Sequence, residues 1–265
     1  MNSLKKLALL TITAVLLAGL IAGLAGCSQE EEEAVTLNVF AAASLTDVME
    51  EINGLYTGEH SSVTITPNYG SSGKLQTQIE QGAPCDVFIS AGARQMDALQ
   101  SENMLLTDSR RDLLQNKVVL IVPSDSTLGL ADFNGLTGAS VTRIAIGDPA
   151  SVPAGSYGKK ALEKLGIYSQ VQSKLVLCTD VRDVLTHVEN GDVEAGIVYE
   201  TDYLISTKVK KVAEGPAEVN ATIVYPVAVI EETENAEAAG KYVDFLFSDE
   251  AGEVFEEYGF VLVQD

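Results

Sequence analysis

Histidine and cysteine are scarce in this chain of 265 residues, which contains two histidines and three cysteines. His60 and His187 stand apart from each other and from the cysteines, so their spacing indicates no zinc or other transition-metal cluster. Neither histidine has the context of a Ser-His-Asp hydrolase, and no carboxylates form a recognisable acid/base pair. We therefore expect a protein that is not an enzyme and has no resident cofactor, with a secreted hydrolase as the alternative from another class.

Basic residues are also few, with 17 lysines and arginines against 38 aspartates and glutamates. The resulting formal net charge of −21 argues against nucleic acid or an anionic lipid surface as a partner. Hydrophobic residues make up 46% of the chain, which is enough for a packed core. The length suits one large domain or two lobes of ordinary size.

The N-terminus carries a targeting signal. Lys5 and Lys6 precede a long apolar run that ends in small residues at Leu24-Ala25-Gly26-Cys27. The last four residues resemble a bacterial lipobox, which predicts a lipoprotein signal peptide over residues 1–26. Because the apolar run is nearly long enough to cross a membrane, an uncleaved transmembrane anchor is the alternative.

In the lipoprotein interpretation, Cys27 carries the lipid, and residues 27–34 form a polar tether that holds the folded part off the membrane. The protein is then extracytoplasmic and bound to the cell membrane only through its lipid anchor. Cys85 and Cys178 remain, and export permits a disulfide between them. Their separation in the sequence favours two independent, partly buried thiols.

From Val35 onwards, apolar runs typical of buried strands alternate with segments of helical periodicity. This alternation predicts an α/β fold in which mostly parallel sheets are flanked by helices. The pattern restarts after Pro123, which indicates two lobes. The apolar strands before Pro123 and at Tyr225 are the candidate hinge strands. We assign residues 35–120 plus 225–265 to lobe I and residues 121–224 to lobe II.

Ligands of open α/β sheets bind beyond the carboxyl ends of the strands, where helix N-termini offer free N–H groups. Ser44 follows the first predicted strand, and Ser44-Leu-Thr-Asp47 also fits a helix capping box. The segment Gly70–Lys74 lacks the spacing of a nucleotide P-loop but is a glycine-hydroxyl turn that could approach an anion closely. A plain capping residue and an ordinary flexible turn are the structural alternatives.

Three further strand-to-helix junctions are candidates in the second half of the chain. Pro153 and Gly155 flank Ala154 and could direct its N–H outward, although a proline-rich connector would look the same. The segment Thr179–Arg182 opens a helix, and Asp180 is expected to cap it. Tyr199 ends an apolar strand, where its phenol could donate a hydrogen bond or simply pack in the core.

Several of these segments, in this order, resemble the molybdate-binding proteins of bacterial molybdate ABC importers. The resemblance extends from Val35 to the end of the chain, and it rests on five blocks in the same order: "VFAAASLTDVMEEI", "GSSGKLQTQIEQGAPCDVFISA", "AIGDPASVPAGSYGKKALEKLG", "DVRDVLTHVENGDVEAGIVYETD" and "YPVAVI…YGF". It implies a type II periplasmic-binding-protein fold with two α/β lobes and two hinge strands. It also implies a monomer that captures molybdate or tungstate in the interlobe cleft and delivers it to a membrane permease.

In the tetrahedral-site branch of that family, the oxyanion is held by neutral donors only. Carried over to this chain, these donors are the hydroxyl and N–H groups of Ser44 and Ser72, the N–H groups of Ala154 and Val181, and the Tyr199 hydroxyl. The choice of Ser72 over Ser71 rests on the resemblance alone. A shell of donors favours a fully deprotonated oxyanion, and sulfate or phosphate in the same fold is the nearest rival.

The chain departs from its family at Gly73 and Lys74, where related proteins often have serine or threonine. Lys74 could lie at the mouth of the cleft and attract the anion, or it could face solvent, which we expect.

Overall fold

The computed structural model describes residues 34–263 of the chain. The predicted signal peptide, the predicted lipidation site Cys27 and all of the predicted tether except Ala34 lie outside the described residues. In chain order the strands are β1 (Val35–Ala42), β2 (Val63–Gly70), β3 (Val87–Ile89), β4 (Arg111–Gln115), β5 (Val118–Pro123), β6 (Ile144–Gly147), β7 (Leu175–Cys178), β8 (Ala195–Tyr199), β9 (Val209–Glu214), β10 (Val224–Val229) and β11 (Val261–Leu262).

The α-helices fill the connections between these strands. In chain order they are α1 (Thr46–Glu59), α2 (Ser72–Glu80), α3 (Ala93–Ser101), α4 (Pro153–Lys164), α5 (Tyr168–Val171), α6 (Val181–Glu189), α7 (Glu200–Leu204), α8 (Ala217–Asn220), α9 (Ala236–Leu246) and α10 (Asp249–Glu257). Short 3-10 turns cover Ala43–Leu45, Phe133–Thr137 and Gln172–Lys174. None of the helices within residues 34–263 combines the length and apolar character that a membrane crossing requires.

The strands form two sheets, as the predicted two-lobed α/β fold requires. Sheet 1 has the order β11-β4-β10-β3-β1-β2, and sheet 2 has the order β7-β6-β8-β5-β9. The sheets are more mixed than the sequence predicted. Parallel pairing is confined to β2-β1-β3 and to β7-β6-β8, whereas β10 and β5 pair antiparallel with both of their neighbours. The physical reason is that the chain crosses from one sheet to the other just before β5 and again before β10. Each of these two strands runs opposite to its neighbours in the sheet that it enters.

The passages between the sheets lie at Asn116–Lys117 and between β9 and β10. All of β5 belongs to sheet 2, so the chain enters that sheet at Val118, slightly before the division predicted after residue 120. The lobe boundaries themselves stay a prediction.

The sequence pattern did not identify β4, β9 and β11. Their sequences, RDLLQ, VKKVAE and VL, are charged or very short, and β9 and β11 are edge strands. Edge strands commonly carry lysines, which hide the apolar alternation of a buried strand. The core that supports both sheets was easier to predict, because β5 and β8 are almost entirely buried apolar runs.

Candidate functional site

A small cavity lies where residues that follow strands of both sheets come together. Sheet 1 contributes Ser44, Ser71, Ser72 and Ala91 to its wall, and sheet 2 contributes Ala154, Asp180, Val181 and Tyr199. The structure therefore brings together all five residues that the sequence selected. The cavity has about 200 Å³ of free space, part of it open to solvent, whereas other concavities of the described residues, measured in the same way, reach about 930–970 Å³. This cavity is therefore small compared with those concavities and suits a small ligand.

Ser44 lies in the 3-10 turn between β1 and α1 and is almost completely buried. The capping box predicted for Ser44 and Asp47 is wrong, because Leu45 is the N-cap of α1 and no side chain caps that helix. The extra 3-10 turn moves the helix start past the serine. The Ser44 hydroxyl instead lies 3.0 Å from the Tyr225 hydroxyl of β10.

A chain of hydrogen bonds orients the Ser44 hydroxyl. The side-chain amide of Asn116 donates to the Tyr225 hydroxyl oxygen at 3.2 Å and to the Thr201 hydroxyl at 2.9 Å. Because Tyr225 already accepts from Asn116, its own proton is available for Ser44. The Ser44 proton is then free to point into the cavity. Asn116 and Tyr225 were not predicted from the sequence, because no local pattern indicates that they reach the same serine.

Ser71 and Ser72 lie at the start of α2, and both are buried. The Ser72 hydroxyl accepts the Ala91 N–H at 3.0 Å, which leaves its proton to donate elsewhere. The Ser71 hydroxyl oxygen is buried and has no hydrogen-bond partner within the described residues. A buried hydroxyl without a partner costs about 1–3 kcal/mol, so Ser71 is a further candidate donor that the sequence did not select.

Ala154 and Val181 contribute main-chain groups. Ala154 follows Pro153, the first residue of α4, and Val181 is the first residue of α6. First-turn N–H groups have no acceptor within their own helix and carry the positive end of its dipole. The Asp180 carboxylate caps α6 as predicted, accepting from the N–H groups of Arg182 and Asp183. That capping turns the one acidic side chain of the wall towards the helix.

Tyr199 ends β8 and is fully buried. Burial raises the pKa of its phenol well above the ordinary value, so the group stays protonated and can only act as a neutral donor or acceptor. Its proton is directed at the Ala91 carbonyl oxygen, 3.0 Å away. In this arrangement Tyr199 connects the two halves of the cavity, and donation to a ligand would require that bond to be shared or exchanged.

Main-chain and side-chain contacts hold the two halves together around the cavity. The Gly73 N–H donates to the Ser151 carbonyl at 2.9 Å, and the Arg94 guanidinium donates to the Ala150 carbonyl at 2.8 Å. A Cβ on Gly73 would lie only 2.5 Å from the Ser151 oxygen, so this close approach requires glycine. That explains one departure from the family pattern. Lys74, the other departure, is exposed, which agrees with the expected solvent-facing position.

Arg182 makes the principal charged contact between the halves. Its guanidinium lies 2.6 Å from the Asp47 carboxylate and 3.3 Å from the Ser44 carbonyl, both in the sheet 1 half. It also lies 2.8 Å from Asp202, which is fully buried. The Arg182 Nε and Asp202 Oδ1 atoms are close but not aligned for a hydrogen bond, so their attraction is mainly Coulombic. Burial raises the pKa of Asp202 to about 6, although Arg182 opposes the shift.

The cavity wall holds no lysine or arginine among the residues that line it. Its positive potential comes instead from the N-termini of α2, α4 and α6, which suit an anion. Serine hydroxyls and N–H groups are both donors, so the wall is chemically complementary to a small oxyanion.

The cysteines are separate, buried free thiols, as the sequence favoured. Burial raises the pKa of both thiols, that of Cys178 to about 12. The spacing of the histidines and cysteines in the sequence indicated no metal cluster, but the fold brings one histidine close to a cysteine. The turn between β7 and α6 brings Cys178 close to Asp183 and His187.

Comparison with known proteins identifies the family to which the chain is similar. Residues 37–261 match the family model described as bacterial extracellular solute-binding protein. The chain is 43% identical over 241 residues to the ABC transporter substrate-binding lipoprotein YvgL of Bacillus subtilis, covering 89% of this chain and 92% of that protein. It is 39% identical over 251 residues to the molybdate-binding protein ModA of Escherichia coli, covering 92% and 95%.

A solved structure has the same fold. The periplasmic molybdate-binding protein of Azotobacter vinelandii superposes with a TM-score of 0.76 at 25% identity, covering 86% of this chain and all of that one. The family resemblance inferred from the sequence motifs is thereby confirmed. The chain belongs to the bacterial extracellular solute-binding proteins.

Proposed function

We propose that this protein is a lipoprotein that captures molybdate or tungstate in the cavity between its sheets and delivers it to the permease of an ABC importer. The observation that carries the proposal is the convergence of oriented hydroxyls and helix N-termini on a space of about 200 Å³. The names of the relatives from Escherichia coli and Azotobacter vinelandii support molybdate as the ligand.

The proposed oxyanion shell consists of the Ser44 and Ser72 hydroxyl and N–H groups, the Ala154 and Val181 N–H groups, and the Tyr199 hydroxyl. Tyr225 supports Ser44 from behind, and the Ala91 N–H does the same for Ser72. The Ala91 N–H occupies a lone pair of Ser72, and a Tyr225 hydroxyl that donates to Ser44 does the same there, which leaves the serine protons for the ligand. Hydrogen bonds to a charged group contribute about 1.5–3 kcal/mol each, so several of them offset the desolvation of a dianion without a basic side chain.

A deprotonated tetrahedral oxyanion fits this shell better than a protonated one. The proton of monohydrogen phosphate would need an acceptor, and the one carboxylate among the residues that line the cavity, Asp180, is engaged in capping α6. An unsatisfied polar group in the cavity costs about 1–3 kcal/mol. Sulfate carries no such proton, so only the size of the closed cavity would discriminate against it.

The function requires binding and release but no chemistry on the ligand, and no resident cofactor. Ser44 faces tyrosine rather than a general base, and neither histidine lines the cavity. His60 stacks on Tyr56, and His187 lies between two aspartates. These positions support a binding protein over a hydrolase, in which an activated serine would need a base within reach.

The remaining parts of the proposal concern location and assembly. A relative named as a lipoprotein supports lipidation at Cys27 and attachment to the membrane through that lipid alone. In this proposal residues 27–34 connect the lipid to the folded part. We propose that the protein acts as a monomer and, with its net charge of −21, has no nucleic-acid partner.

Calorimetry on the purified protein in oxyanion-free buffer tests the ligand. We expect molybdate and tungstate to bind one per chain, and sulfate in large excess to compete weakly. Monohydrogen phosphate should bind more weakly than molybdate or tungstate. Tighter binding of sulfate or phosphate than of molybdate would mean that the ligand of this protein is a different oxyanion. Absence of binding by all four anions would overturn the proposal.

A further inference from the structure

Three potential metal ligands converge at the edge of sheet 2, around the turn that joins the edge strand β7 to α6. The Cys178 thiol, an Asp183 carboxylate oxygen and a His187 ring nitrogen all lie within 4.8 Å of one another. Cys178 ends β7, and the other two are one turn apart on α6. The cysteine is buried, whereas the side chains of Asp183 and His187 are about a third exposed, so an ion could enter from solvent.

Hydrogen bonds already hold the two partly exposed ligands, Asp183 and His187, in place. One Asp183 oxygen accepts hydrogen bonds from the Thr179 N–H at 2.9 Å and the Thr179 hydroxyl at 3.2 Å, which leaves the other oxygen facing the histidine. The Nδ1 atom of His187 lies 3.2 Å from the Asp192 carboxylate. Metal-binding histidines usually donate their second N–H to a carboxylate in this way, which fixes the ring and leaves Nε2 free to coordinate.

The free atoms of this cluster do not satisfy one another. With Nδ1 donating to Asp192, the Nε2 atom of a neutral His187 is an acceptor, and it lies 3.6 Å from another acceptor, Asp183 Oδ1. Two facing acceptors do not bond to each other, and a cation between them would satisfy both. A metal ion in that position would also reach Cys178.

We propose that Cys178, Asp183 and His187 bind a divalent transition metal ion of the zinc type, with water completing its coordination. Thiolate, imidazole and carboxylate are the ligands that zinc prefers, and magnesium and calcium would avoid the sulfur. One thiolate and one carboxylate neutralise the charge of the ion. The bound ion would clamp the end of β7 to the first turns of α6. The proposal does not depend on the oxyanion function.

Spectroscopy with cobalt(II) tests the site directly, because a cobalt–thiolate bond produces an intense near-ultraviolet charge-transfer band. The experiment uses the full chain in detergent with Cys27→Ser, so that the N-terminal thiol does not contribute, under reducing conditions. We expect one Co²⁺ per chain, displacement of Co²⁺ by Zn²⁺, and a higher melting temperature with Zn²⁺ bound. Both Cys178→Ser and His187→Gln should abolish the band.

The chain offers matched controls. Cys85→Ser removes the other buried thiol and His60→Gln the other histidine, and both should keep the band. Asp192→Asn, at an exposed position, should fold normally and weaken Zn²⁺ binding by about 10- to 100-fold through loss of the second contact to His187. This variant keeps the test valid if Cys178→Ser does not fold.

Three results would overturn the proposal. The first is the absence of Co²⁺ and Zn²⁺ binding. The second is binding without a thiolate band, which would place the ions on surface carboxylates. The third is an Asp192→Asn variant that binds Zn²⁺ as tightly as the parent protein.

Discussion

The two halves of the cavity offer hydrogen-bond donors of different kinds. The sheet 1 half presents side-chain hydroxyls, which other groups orient from behind, at Ser44 and Ser72. The sheet 2 half presents main-chain N–H groups at the helix starts Ala154 and Val181. A hydroxyl is removed by one substitution, whereas a main-chain donor survives any substitution that keeps the helix start. The comparison therefore predicts that binding depends on side-chain identity in the first half and on backbone position in the second.

Removal of the serine hydroxyls should have the largest effect. We expect Ser44→Ala and Ser72→Ala each to weaken molybdate binding by roughly 10- to 150-fold, which corresponds to a loss of about 1.5–3 kcal/mol. Calorimetry of the single variants and of the double variant measures the effect. Ser71→Ala in the same series decides whether the neighbouring hydroxyl is also a donor.

Ser90→Ala is the matched control for this series. Ser90 is a fully buried serine of the same half, but it donates to the Gly92 carbonyl and does not line the cavity. Its loss should lower thermal stability and leave molybdate affinity nearly unchanged. Equal losses of affinity in Ser90→Ala and Ser44→Ala would mean that the serines act through packing alone.

The buried carboxyl group of Asp202, in the sheet 2 half, predicts that the stability of the folded protein depends on pH. Burial raises the pKa of Asp202 from 3.8 to about 6. The folded protein therefore holds this proton more tightly than the unfolded chain, and the stabilisation is complete below about pH 4 and lost as the pH rises through about 6. The difference corresponds to about 3 kcal/mol. Urea unfolding between pH 4 and 7 should show a shallower decline in Asp202→Asn than in the parent protein. Parallel pH profiles of the two would contradict this prediction.

Tyr199 is the side-chain contributor of the sheet 2 half, and its effect should be smaller than that of the serines. Its hydroxyl donates to the Ala91 carbonyl across the cavity. We expect Tyr199→Phe to weaken molybdate binding by about 0.5–1.5 kcal/mol, the usual net value of one hydrogen bond. A loss as large as that in Ser44→Ala would mean that Tyr199 exchanges the Ala91 carbonyl for the ligand and donates fully to it.

The main-chain donors should give the smallest effects on affinity. Ala154→Gly and Val181→Ala keep the N–H groups, so calorimetry should find nearly unchanged molybdate binding. Val181 is buried in the core, and its truncation should still lower the melting temperature. A large loss of affinity in either variant, with the fold intact, would show that the side chains rather than the helix starts make the site.

The sequence predicted the fold well, because the fold depends on local patterns. Buried strands such as β5 and β8 are continuous apolar runs, and each candidate loop follows directly after a strand. The ligand role of Ser44, Ser72, Ala154, Val181 and Tyr199 stays a prediction, although the structure gathers all five around one cavity.

The parts that the sequence did not predict depend on contacts between distant residues. Tyr225 reaches Ser44 across 181 positions, and Arg182 reaches Asp47 from the other half of the protein. No periodicity or spacing reports such pairs. The capping box at Ser44 was wrong for a local reason, because a 3-10 turn precedes α1 and shifts its first residue. The Cys178–His187 cluster was missed because a strand and a helix meet there, and the spacing fits no common metal motif.

Diffraction from crystals grown with tungstate tests the central claim most directly, because the anomalous signal of tungsten marks the position of the ion. We predict one strong peak in the cavity, with tungstate oxygens within hydrogen-bond distance of the Ser44 and Ser72 hydroxyls and of the Ala154 and Val181 N–H groups. A peak elsewhere, or a tungstate held by lysine or arginine side chains, would contradict the account.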